Sequence, residues 1–342
     1  VSNGSFSQEG VEEVVNGDFS NGLSDWIIQY GTINFANNEA EFVGSSVLEQ
    51  QSILTSGKTY KIVYEVSSIL GSPNFKLYDG SWFSVPSTIG THIVYREISS
   101  TTLYLRNDSS DNITINNVSV KEVGQDWEFN STAILTANGM NITTGGFIRQ
   151  DVVTIGKSYK LTYDIVSYTS GDIRVYDGTS QGNIPTSIGS NTFNFTAGGS
   201  VFLIQGNSAS LDLTITNISI KEVGQDWTIG TGWSIGEDKA VFDGGADSAI
   251  QQDGVAISGK RYKVSLDVND MSSGSLQLRF GSSGSVDETI TQNGSYTFYL
   301  LSDGTKAYFR SVSGFNGSIT NISVLEITDD TNLPRINYEG FS

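Results

Sequence analysis

One segment in each third of the chain alternates strictly between apolar and polar side chains. Because successive side chains of a β-strand point to opposite faces of its sheet, such alternation predicts a strand with one face in the core and one in water. The first segment has on one face Tyr60, Ile62, Tyr64 and Val66, and on the other Lys61, Val63 and Glu65. Residues 159–165 and 262–268 repeat this arrangement. The pattern therefore predicts three equivalent half-buried strands.

These strands belong to a longer repeat, in which three signatures follow one another in the same order. The first is Gly-Lys-x-Tyr-Lys, which begins at Gly57, Gly156 and Gly259. The second is a short strand that ends in a turn, at 77–80, 175–178 and, in degenerate form, 278–281. The third is the closing strand at 115–120, 215–220 and 319–324. A period of roughly 100 residues is the size of a small domain, so three tandem domains are predicted.

The domain boundaries are predicted at the junctions, where the first two units share the sequence Lys-Glu-Val-Gly-Gln-Asp-Trp at 121–127 and 221–227. The predicted organisation is an N-terminal lead at 1–13, β-sandwich repeats at 14–124, 125–224 and 225–328, and a linker at 329–342 to a further downstream domain. Since one unit runs almost directly into the next, little swinging between domains is expected. The prediction is a semi-rigid rod.

The composition agrees with short strands joined by tight turns. Glycine is abundant, with 38 residues, and the aromatic residues are 17 Phe, 15 Tyr and 5 Trp. Each unit holds roughly eight short strands with half-buried alternation and Asp-Gly or Asn-Gly turns, which is typical of a jelly roll. The predicted fold class is therefore all-β, with three tandem antiparallel β-sandwich (jelly-roll) domains. An immunoglobulin-like sandwich is the alternative.

Charge and composition exclude several functions. The chain has 37 acidic and 19 basic side chains, and its net charge of −18 repels the phosphate backbone of nucleic acids. It has no cysteine, so disulfides, thiolate metal sites and a cysteine nucleophile are excluded. No apolar run reaches the roughly 18 residues of a transmembrane helix, and no membrane insertion is expected. The first residue is Val, which suggests a processed or partial chain.

Catalytic chemistry finds little support in the residues. A pair of carboxylates could hydrolyse a glycosidic bond, but 37 acids make accidental pairs inevitable, and several stand at turns such as Asp79-Gly80. The single histidine, His92, has no partner histidine for a zinc site. A Ser-His-Asp triad would have to be built around this one residue in one repeat. The chain is therefore predicted not to be an enzyme.

A sugar-binding surface is the favoured alternative, because the alternation places Tyr, Arg, Lys and carboxylate side chains on the solvated faces of the strands. Aromatic rings offer flat apolar faces, and these can stack on a pyranose. In the first unit Trp82 and Phe83 add two rings in a loop where the other units have no tryptophan. The candidate carbohydrate-binding residues are Lys61, Glu65, Tyr78, Trp82, Phe83, Tyr104 and Arg106.

The first unit opens with Glu13-Val14-Val15-Asn16-Gly17-Asp18-Phe19, followed by Gly22 and Asp25-Trp26. This opening resembles the start of carbohydrate-binding modules of the family 4/9 type. The resemblance implies jelly-roll domains that often bind β-glucans or xylan and often hold a structural calcium. Calcium also suits the composition, because it takes several carboxylate and carbonyl oxygens, and the available candidate ligands are Asn16 and Asp18, with Asp238 or Asp243. Units two and three keep only the Asp-Trp pair and the later strands. Sugar binding is therefore expected in unit one.

The tryptophan of the Asp-Trp pair recurs as Trp26, Trp127 and Trp227. A tryptophan at the same place in every unit is most simply an anchor in the core or at a domain junction.

The junction sequence, and the tail Asp-Asp-Thr-Asn-Leu-Pro-Arg-Ile-Asn-Tyr at 329–338, resemble tandem modules in large virion proteins of tailed bacteriophages. This resemblance covers nearly the whole chain and implies a non-enzymatic virion-surface protein: a head fibre, a decoration protein or a tail-fibre component. The implied partners are other virion proteins and host surface glycans, and a homo-oligomer is left open. It also implies that Ser342 is not the natural end. The alternative is a secreted bacterial adhesin, or the carbohydrate-binding portion of a polysaccharide-degrading enzyme.

Overall fold

The computed structural model describes residues 1–236, 238–282 and 284–328. These residues form twenty-seven strands, and none of them lies in a helix. No helix that could cross a membrane is found in this part of the chain. The paired strands are antiparallel throughout, so the predicted all-β fold class with antiparallel sheets is confirmed. The linker predicted at 329–342 lies outside the described residues.

Nine strands make up the first domain. Their bounds are β1 Glu9–Glu12, β2 Ile27–Ala36, β3 Glu39–Gln50, β4 Lys58–Leu70, β5 Phe75–Tyr78, β6 Trp82–Ser84, β7 Gly90–Ile98, β8 Leu103–Asn107 and β9 Asn112–Val123. Seven follow the order β6-β5-β8-β3-β9-β4-β7, while β1 pairs with β9 and β2 with β3. Strand β3 belongs to both layers of the sandwich, because residues 46–50 pair with β8 and residues 40–42 pair with β9.

The second domain separates its two layers into two five-stranded sheets. Its strands are β10 Glu128–Phe129, β11 Ala133–Thr136, β12 Gly139–Thr143, β13 Phe147–Gln150, β14 Ser158–Ser170, β15 Ile173–Tyr176, β16 Ser180–Ile184, β17 Gly189–Thr196, β18 Phe202–Gly206 and β19 Asp212–Val223. The sheet orders are β10-β13-β18-β15-β16 and β11-β12-β19-β14-β17. Together β12 and β13 correspond to β3, and Gly145 (φ 79°) stands between them. Two stacked antiparallel sheets form a sandwich.

The third domain has longer strands that run through both layers. Its strands are β20 Thr228–Ile229, β21 Trp233–Gly236, β22 Lys239–Asp243, β23 Ala249–Gln252, β24 Arg261–Gly281, β25 Glu288–Ile290, β26 Gly294–Leu301 and β27 Lys306–Glu326. Strand β24 pairs with β25, β26 and β27, and β27 pairs in turn with β22 and β23. The strand pairing repeats that of the second domain, with the counterparts of β14 and β15 fused into β24 and those of β18 and β19 fused into β27.

Each domain encloses its own hydrophobic core. The alternation over residues 60–66 has the predicted result, because Tyr60, Ile62, Tyr64 and Val66 are all at most 1% exposed. The corresponding strands of the second and third domains bury the same face. The opposite face of these strands carries mainly polar side chains.

The first residues of the chain lie against the second domain rather than the first. Phe6 is 4% exposed and belongs to the second core, together with Trp127. Strand β1 then pairs with β9 of the first domain. The predicted lead thus contributes side chains to one domain and a strand to another. Of the three repeated tryptophans, Trp26 and Trp127 are buried, whereas Trp227 is only partly buried.

Candidate functional site

Strands β5, β6 and β8 lie side by side at one edge of the first domain and bring three aromatic rings together. Tyr78 is the last residue of β5 and pairs with Trp82 in β6. Tyr104 lies in β8, the other neighbour of β5. Their neighbours in sequence, Leu77 and Leu105, point into the core and are at most 1% exposed. Period-two alternation therefore directs all three rings away from the core.

The aromatic cluster, Tyr78, Trp82 and Tyr104, has the geometry of mutual edge-to-face contacts. The centroid distances are 5.2 Å for Tyr78 and Trp82, 5.4 Å for Tyr78 and Tyr104, and 5.9 Å for Trp82 and Tyr104. The angles between the ring planes are 60°, 76° and 70° in the same order. Such contacts suit the ring quadrupoles. All three rings are partly exposed, so part of this apolar surface meets solvent.

An ionic group, Lys76, Arg106 and Asp108, borders the aromatic cluster. The Lys76 Nζ atom lies 2.7 Å from the Asp108 Oδ2 atom, and the Arg106 guanidinium pairs with the Asp108 Oδ1 atom. The hydrogen bond from Lys76, together with the nearby Arg106 charge, lowers the pKa of Asp108 below its ordinary value. The Arg106 guanidinium also lies 5.0 Å from the centroid of the Trp82 ring. Charge and aromatic surface are thus adjacent.

Glu49 completes this surface from β3, where it pairs with Tyr104 of β8. Its side chain is 4% exposed, and its Oε1 atom accepts a 2.5 Å hydrogen bond from the Gln51 Nε2 atom. The Glu49 Oε2 atom and the Arg106 Nε atom are buried without a hydrogen-bond partner among the described residues. Sequence reasoning did not single out Glu49, Lys76 or Asp108 as site residues. The alternation of β3 and β5 marks the faces of Glu49 and Lys76, but no pattern links these residues to each other.

Phe83, predicted with Trp82, lies on the opposite side of β6. It pairs with Leu77 and packs against the first core. The Arg96 guanidinium lies 4.6 Å from the centroid of its ring. Because neighbouring residues of a strand face opposite ways, Phe83 does not join the aromatic cluster.

The predicted residues Lys61 and Glu65 lie on β4, which pairs with β7 and β9 instead of the strands of the aromatic cluster. The Lys61 Nζ atom is 2.5 Å from the Glu9 Oε1 atom, and this hydrogen bond raises the pKa of Lys61. Glu65 accepts a 2.8 Å hydrogen bond from the Asn117 Nδ2 atom. Of the seven candidates, the structure therefore brings together Tyr78, Trp82, Tyr104 and Arg106.

The same face is poorer in aromatic rings in the other two domains. In the second domain, the Arg174 guanidinium lies 5.6 Å from the ring centroid of Tyr176. Tyr176 pairs with Leu203, which stands where the first domain has Tyr104. In the third domain, the Arg279 guanidinium lies 5.7 Å from the ring centroid of Tyr308. A three-ring cluster on this face is present only in the first domain, within the part of the chain that the structure describes.

The predicted calcium ligands Asn16 and Asp18 lie in a tight turn. The Asn16 Oδ1 atom accepts from the Asn21 backbone N–H at 3.1 Å, and the Asp18 Oδ1 atom accepts from both the backbone N–H and the hydroxyl of Ser20. Calcium needs about six to eight oxygen ligands, and the described residues contain no group of three or more His, Cys, Asp or Glu side chains that could hold a metal ion. Calcium at this turn stays a prediction.

Comparison with known proteins gives weak structural similarities. The chain is similar to the CBM22-1 and CBM22-2 tandem of Paenibacillus barcinonensis Xyn10C, with 9% identity and a TM-score of 0.28 over 94% of this chain and 99% of that chain. It is similar to Clostridium perfringens ZmpB, comprising the M60 catalytic domain with CBM51-1 and CBM51-2, with 9% identity and a TM-score of 0.20 over 89% and 38%.

A third similarity is to a structure of Sulfolobus Turreted Icosahedral Virus, with 11% identity and a TM-score of 0.20 over 86% of this chain and 90% of that chain. No model of a known protein family and no curated protein matches the sequence. Likenesses with such low TM-scores carry no argument about what this chain binds.

Proposed function

We propose that the chain is a non-enzymatic surface protein whose first domain binds glycans through the aromatic cluster. The observation that carries this proposal is the meeting of Tyr78, Trp82 and Tyr104 on one solvent-facing side of a sheet, beside an ionic group. The second and third domains, with one ring each at this face, serve as spacers.

The chemistry of the surface fits a sugar better than an apolar ligand. Partly exposed rings supply apolar faces for the C–H groups of a pyranose, while Lys76, Arg106 and Asp108 offer charge-assisted hydrogen bonds to its hydroxyls. Because the three rings meet edge-to-face rather than in one plane, the aromatic cluster suits one or two sugar residues. Because the aromatic cluster lies on a regular sheet, its rings are held in place before the sugar binds. This lowers the conformational entropy that is lost on binding.

The proposed setting is the surface of a virion, with other virion proteins as partners. The resemblance of the junction and tail sequences to phage virion proteins supports it. The alternative setting, a secreted adhesin or the binding portion of a polysaccharide-degrading enzyme, is supported by the Asn-Gly-Asp-Phe opening at 16–19. Peptides of the chain in gradient-purified phage particles would favour the first. Peptides found only in a bacterial culture supernatant would favour the second.

Glycan binding can be tested with the full chain on a glycan array, followed by titration calorimetry on the strongest ligand. Tyr78→Ala and Trp82→Ala should each weaken binding about tenfold, equivalent to about 1.4 kcal/mol, because each removes a ring from the aromatic cluster. The matched control is Tyr176→Ala, which removes the corresponding tyrosine of the second domain. It should leave the affinity unchanged.

Two outcomes would overturn this proposal. One is an array on which the intact chain binds no glycan. The other is a ligand whose affinity falls equally in Tyr78→Ala and Tyr176→Ala, since binding would then not depend on the aromatic cluster. Thermal unfolding of each variant separates a lost contact from a lost fold.

A further inference from the structure

Two short segments near the N-terminus have the same sequence pattern and the same backbone conformation. Residues 1–6 read Val-Ser-Asn-Gly-Ser-Phe, and residues 14–19 read Val-Val-Asn-Gly-Asp-Phe. In both, the asparagine and the phenylalanine have positive φ: 47° and 57° for Asn3 and Phe6, and 55° and 52° for Asn16 and Phe19. Positive φ is uncommon for residues other than glycine, so the match reflects one shared mode of docking. We call these the first and second plug segments.

The plug segments dock on different domains through the same glutamine contact. In the first domain the Gln50 amide accepts from the Val15 N–H at 2.9 Å and donates to the Val15 carbonyl at 2.8 Å. In the second domain Gln150 makes the same two bonds with Ser2, at 3.0 Å and 2.8 Å. Each glutamine therefore holds one residue of a plug segment as a neighbouring strand would.

A tryptophan indole makes the next contact in both domains. The Trp26 Nε1–H group donates to the Asn16 carbonyl at 3.0 Å, and the Trp127 Nε1–H group donates to the Asn3 carbonyl at the same distance. These are two of the three tryptophans that recur at the opening of each unit. Their repeated position is thus explained by the segment they bind.

The glycine of each plug segment is required by the closeness of the closing strand. The Gly17 carbonyl accepts from the Val118 N–H at 2.8 Å, and the Gly4 carbonyl accepts from the Ile218 N–H at 2.9 Å. A Cβ atom would lie 2.0 Å from the Val118 carbonyl oxygen in the first case and 1.9 Å from the Ile218 carbonyl oxygen in the second. Any side chain at this position would collide with backbone.

The phenylalanine of each plug segment fills the core beside the tryptophan. Phe19 is 2% exposed and its ring centroid lies 5.4 Å from that of Trp26. Phe6 is 4% exposed and lies 5.1 Å from Trp127. The two plug segments therefore complete the cores of the first and second domains in the same way.

The third domain has the same groove, but neither plug segment nor any other described segment occupies it in this way. Gln252 ends β23 as Gln50 ends β3, and Trp227 follows an aspartate as the other two tryptophans do. A cavity of about 310 Å³, lined by residues that include Trp227, Ala240 and Ile322, lies where the other domains hold a plug segment. Trp227 and Ile322 are partly exposed here, although Trp127 is 7% and Ile218 is 3% exposed in the second domain.

The groove residues of the third domain lack the contacts that their counterparts make. Among the described residues, neither the Trp227 indole N–H nor the Gln252 side-chain amide has a hydrogen-bond partner. In the whole sequence, Asn-Gly-x-Phe occurs only at 3–6 and 16–19. The chain thus offers two plug segments for three grooves. A second copy could fill the third groove only by emptying one of its own.

We propose that the third groove binds a peptide segment of the pattern aliphatic-x-Asn-Gly-x-Phe, carried by a partner protein. The segment would place its phenylalanine beside Trp227, hydrogen-bond its backbone to Gln252 and lay its glycine against the closing strand at Ile322. The third domain is then an attachment point, at which a partner completes the core. This inference is independent of the glycan proposal.

The test uses the full chain and an acetylated synthetic peptide with the sequence of residues 1–8, labelled at its C-terminus for fluorescence anisotropy. We expect saturable binding of one peptide per chain. A peptide with alanine in place of its phenylalanine, and a scrambled peptide, should each bind at least tenfold more weakly. Failure of the parent peptide to bind, or equal binding of all three, would overturn the proposal.

The position of the bound peptide is tested with matched glutamine variants. Gln252→Ala should weaken binding about tenfold, because it removes the side chain that would pair with the peptide backbone. Gln251→Ala is the control, since its side chain points to the other face of β23, and it should have no effect. If Gln150→Ala abolishes peptide binding and Gln252→Ala leaves it unchanged, the peptide exchanges into the second domain and the proposal is wrong.

Sedimentation velocity tests the second copy as the occupant. We expect a monomer at micromolar concentration, unchanged when residues 1–6 are deleted. A dimer that disappears on this deletion would identify the first plug segment of another copy as the occupant and would overturn the proposal as stated.

Discussion

The second and third domains are built from corresponding strands, but of these two only the second has a core that a described plug segment completes. In the second, Phe6 lies against Trp127 and Gln150 holds Ser2, although these pairs are far apart in the sequence. In the third, Trp227 and Gln252 occupy the same positions and have no such partner among the described residues. The difference teaches that a repeat unit defined by sequence need not be a complete packing unit. A core can be finished by a segment from beyond the unit.

The largest expected effect that separates the two domains comes from Phe6→Ala. Truncation of a buried phenylalanine costs about 3–5 kcal/mol, so the second domain should lose this amount or the full docking free energy of the first plug segment, whichever is smaller. The third domain should be unaffected. Hydrogen exchange with mass spectrometry, resolved by domain, measures both.

The control for Phe6→Ala is Val11→Ala, which changes an exposed side chain in the same part of the chain. It should leave exchange in the second domain unchanged. Equal exchange in the wild type and Phe6→Ala would contradict the role of the first plug segment.

A smaller effect should distinguish the two tryptophans. Trp127→Phe removes an indole hydrogen bond to the Asn3 carbonyl, which is worth about 1 kcal/mol, whereas Trp227→Phe removes none that is formed. The second domain should therefore lose about 1 kcal/mol more than the third, as measured by denaturant unfolding followed by domain-resolved exchange. Equal losses would mean that the indole N–H contributes nothing in the second domain.

The smallest effect concerns pH, where the two domains should behave alike. Hydrogen bonds from Ser190 and Asn217 lower the pKa of Asp164, and those from Ser295 and Asn321 lower the pKa of Asp267. A lowered folded-state pKa stabilises the domain above the unfolded value of about 3.9, and this stabilisation is lost as the pH falls through the folded value. Both domains should lose stability together below about pH 4.

The pH prediction is checked by thermal unfolding from pH 7 to pH 3. Asp164→Asn should flatten the acid dependence of the second domain alone. A domain-specific acid loss in the wild type would show that the two carboxylates differ despite their matching hydrogen bonds.

Part of the candidate site follows from the sequence. Alternation places Tyr78 and Tyr104 on the polar faces of their strands, because side-chain direction depends only on position along a strand. The topology of the sheet decides that β5 and β8 are neighbours. This pairing brings the ring centroids of Tyr78 and Tyr104 to within 5.4 Å of each other. Adjacency in the sequence did not predict which rings meet, because Phe83 directly follows Trp82 but faces the opposite side of β6.

Two members of the ionic group, Lys76 and Asp108, were not predicted as site residues, for a related reason. Lys76 and Asp108 are far apart in the sequence, and their ion pair forms only because two strands meet. Glu49 is a similar case, since it reaches the site from a third strand, β3. No local pattern distinguishes such residues from the many other polar side chains on these sheets.

By itself, the sequence determined the strands, their buried faces and the threefold repeat, because each of these follows from local periodicity or direct comparison of segments. It also contains two copies of Asn-Gly-x-Phe, but it does not reveal on which domain each copy docks. Only the tertiary structure decided that residues 1–6 complete the second domain while residues 14–19 complete the first. The physical reason is that docking depends on which groove the folded chain presents within reach. That same packing leaves the third groove without a plug segment among the described residues.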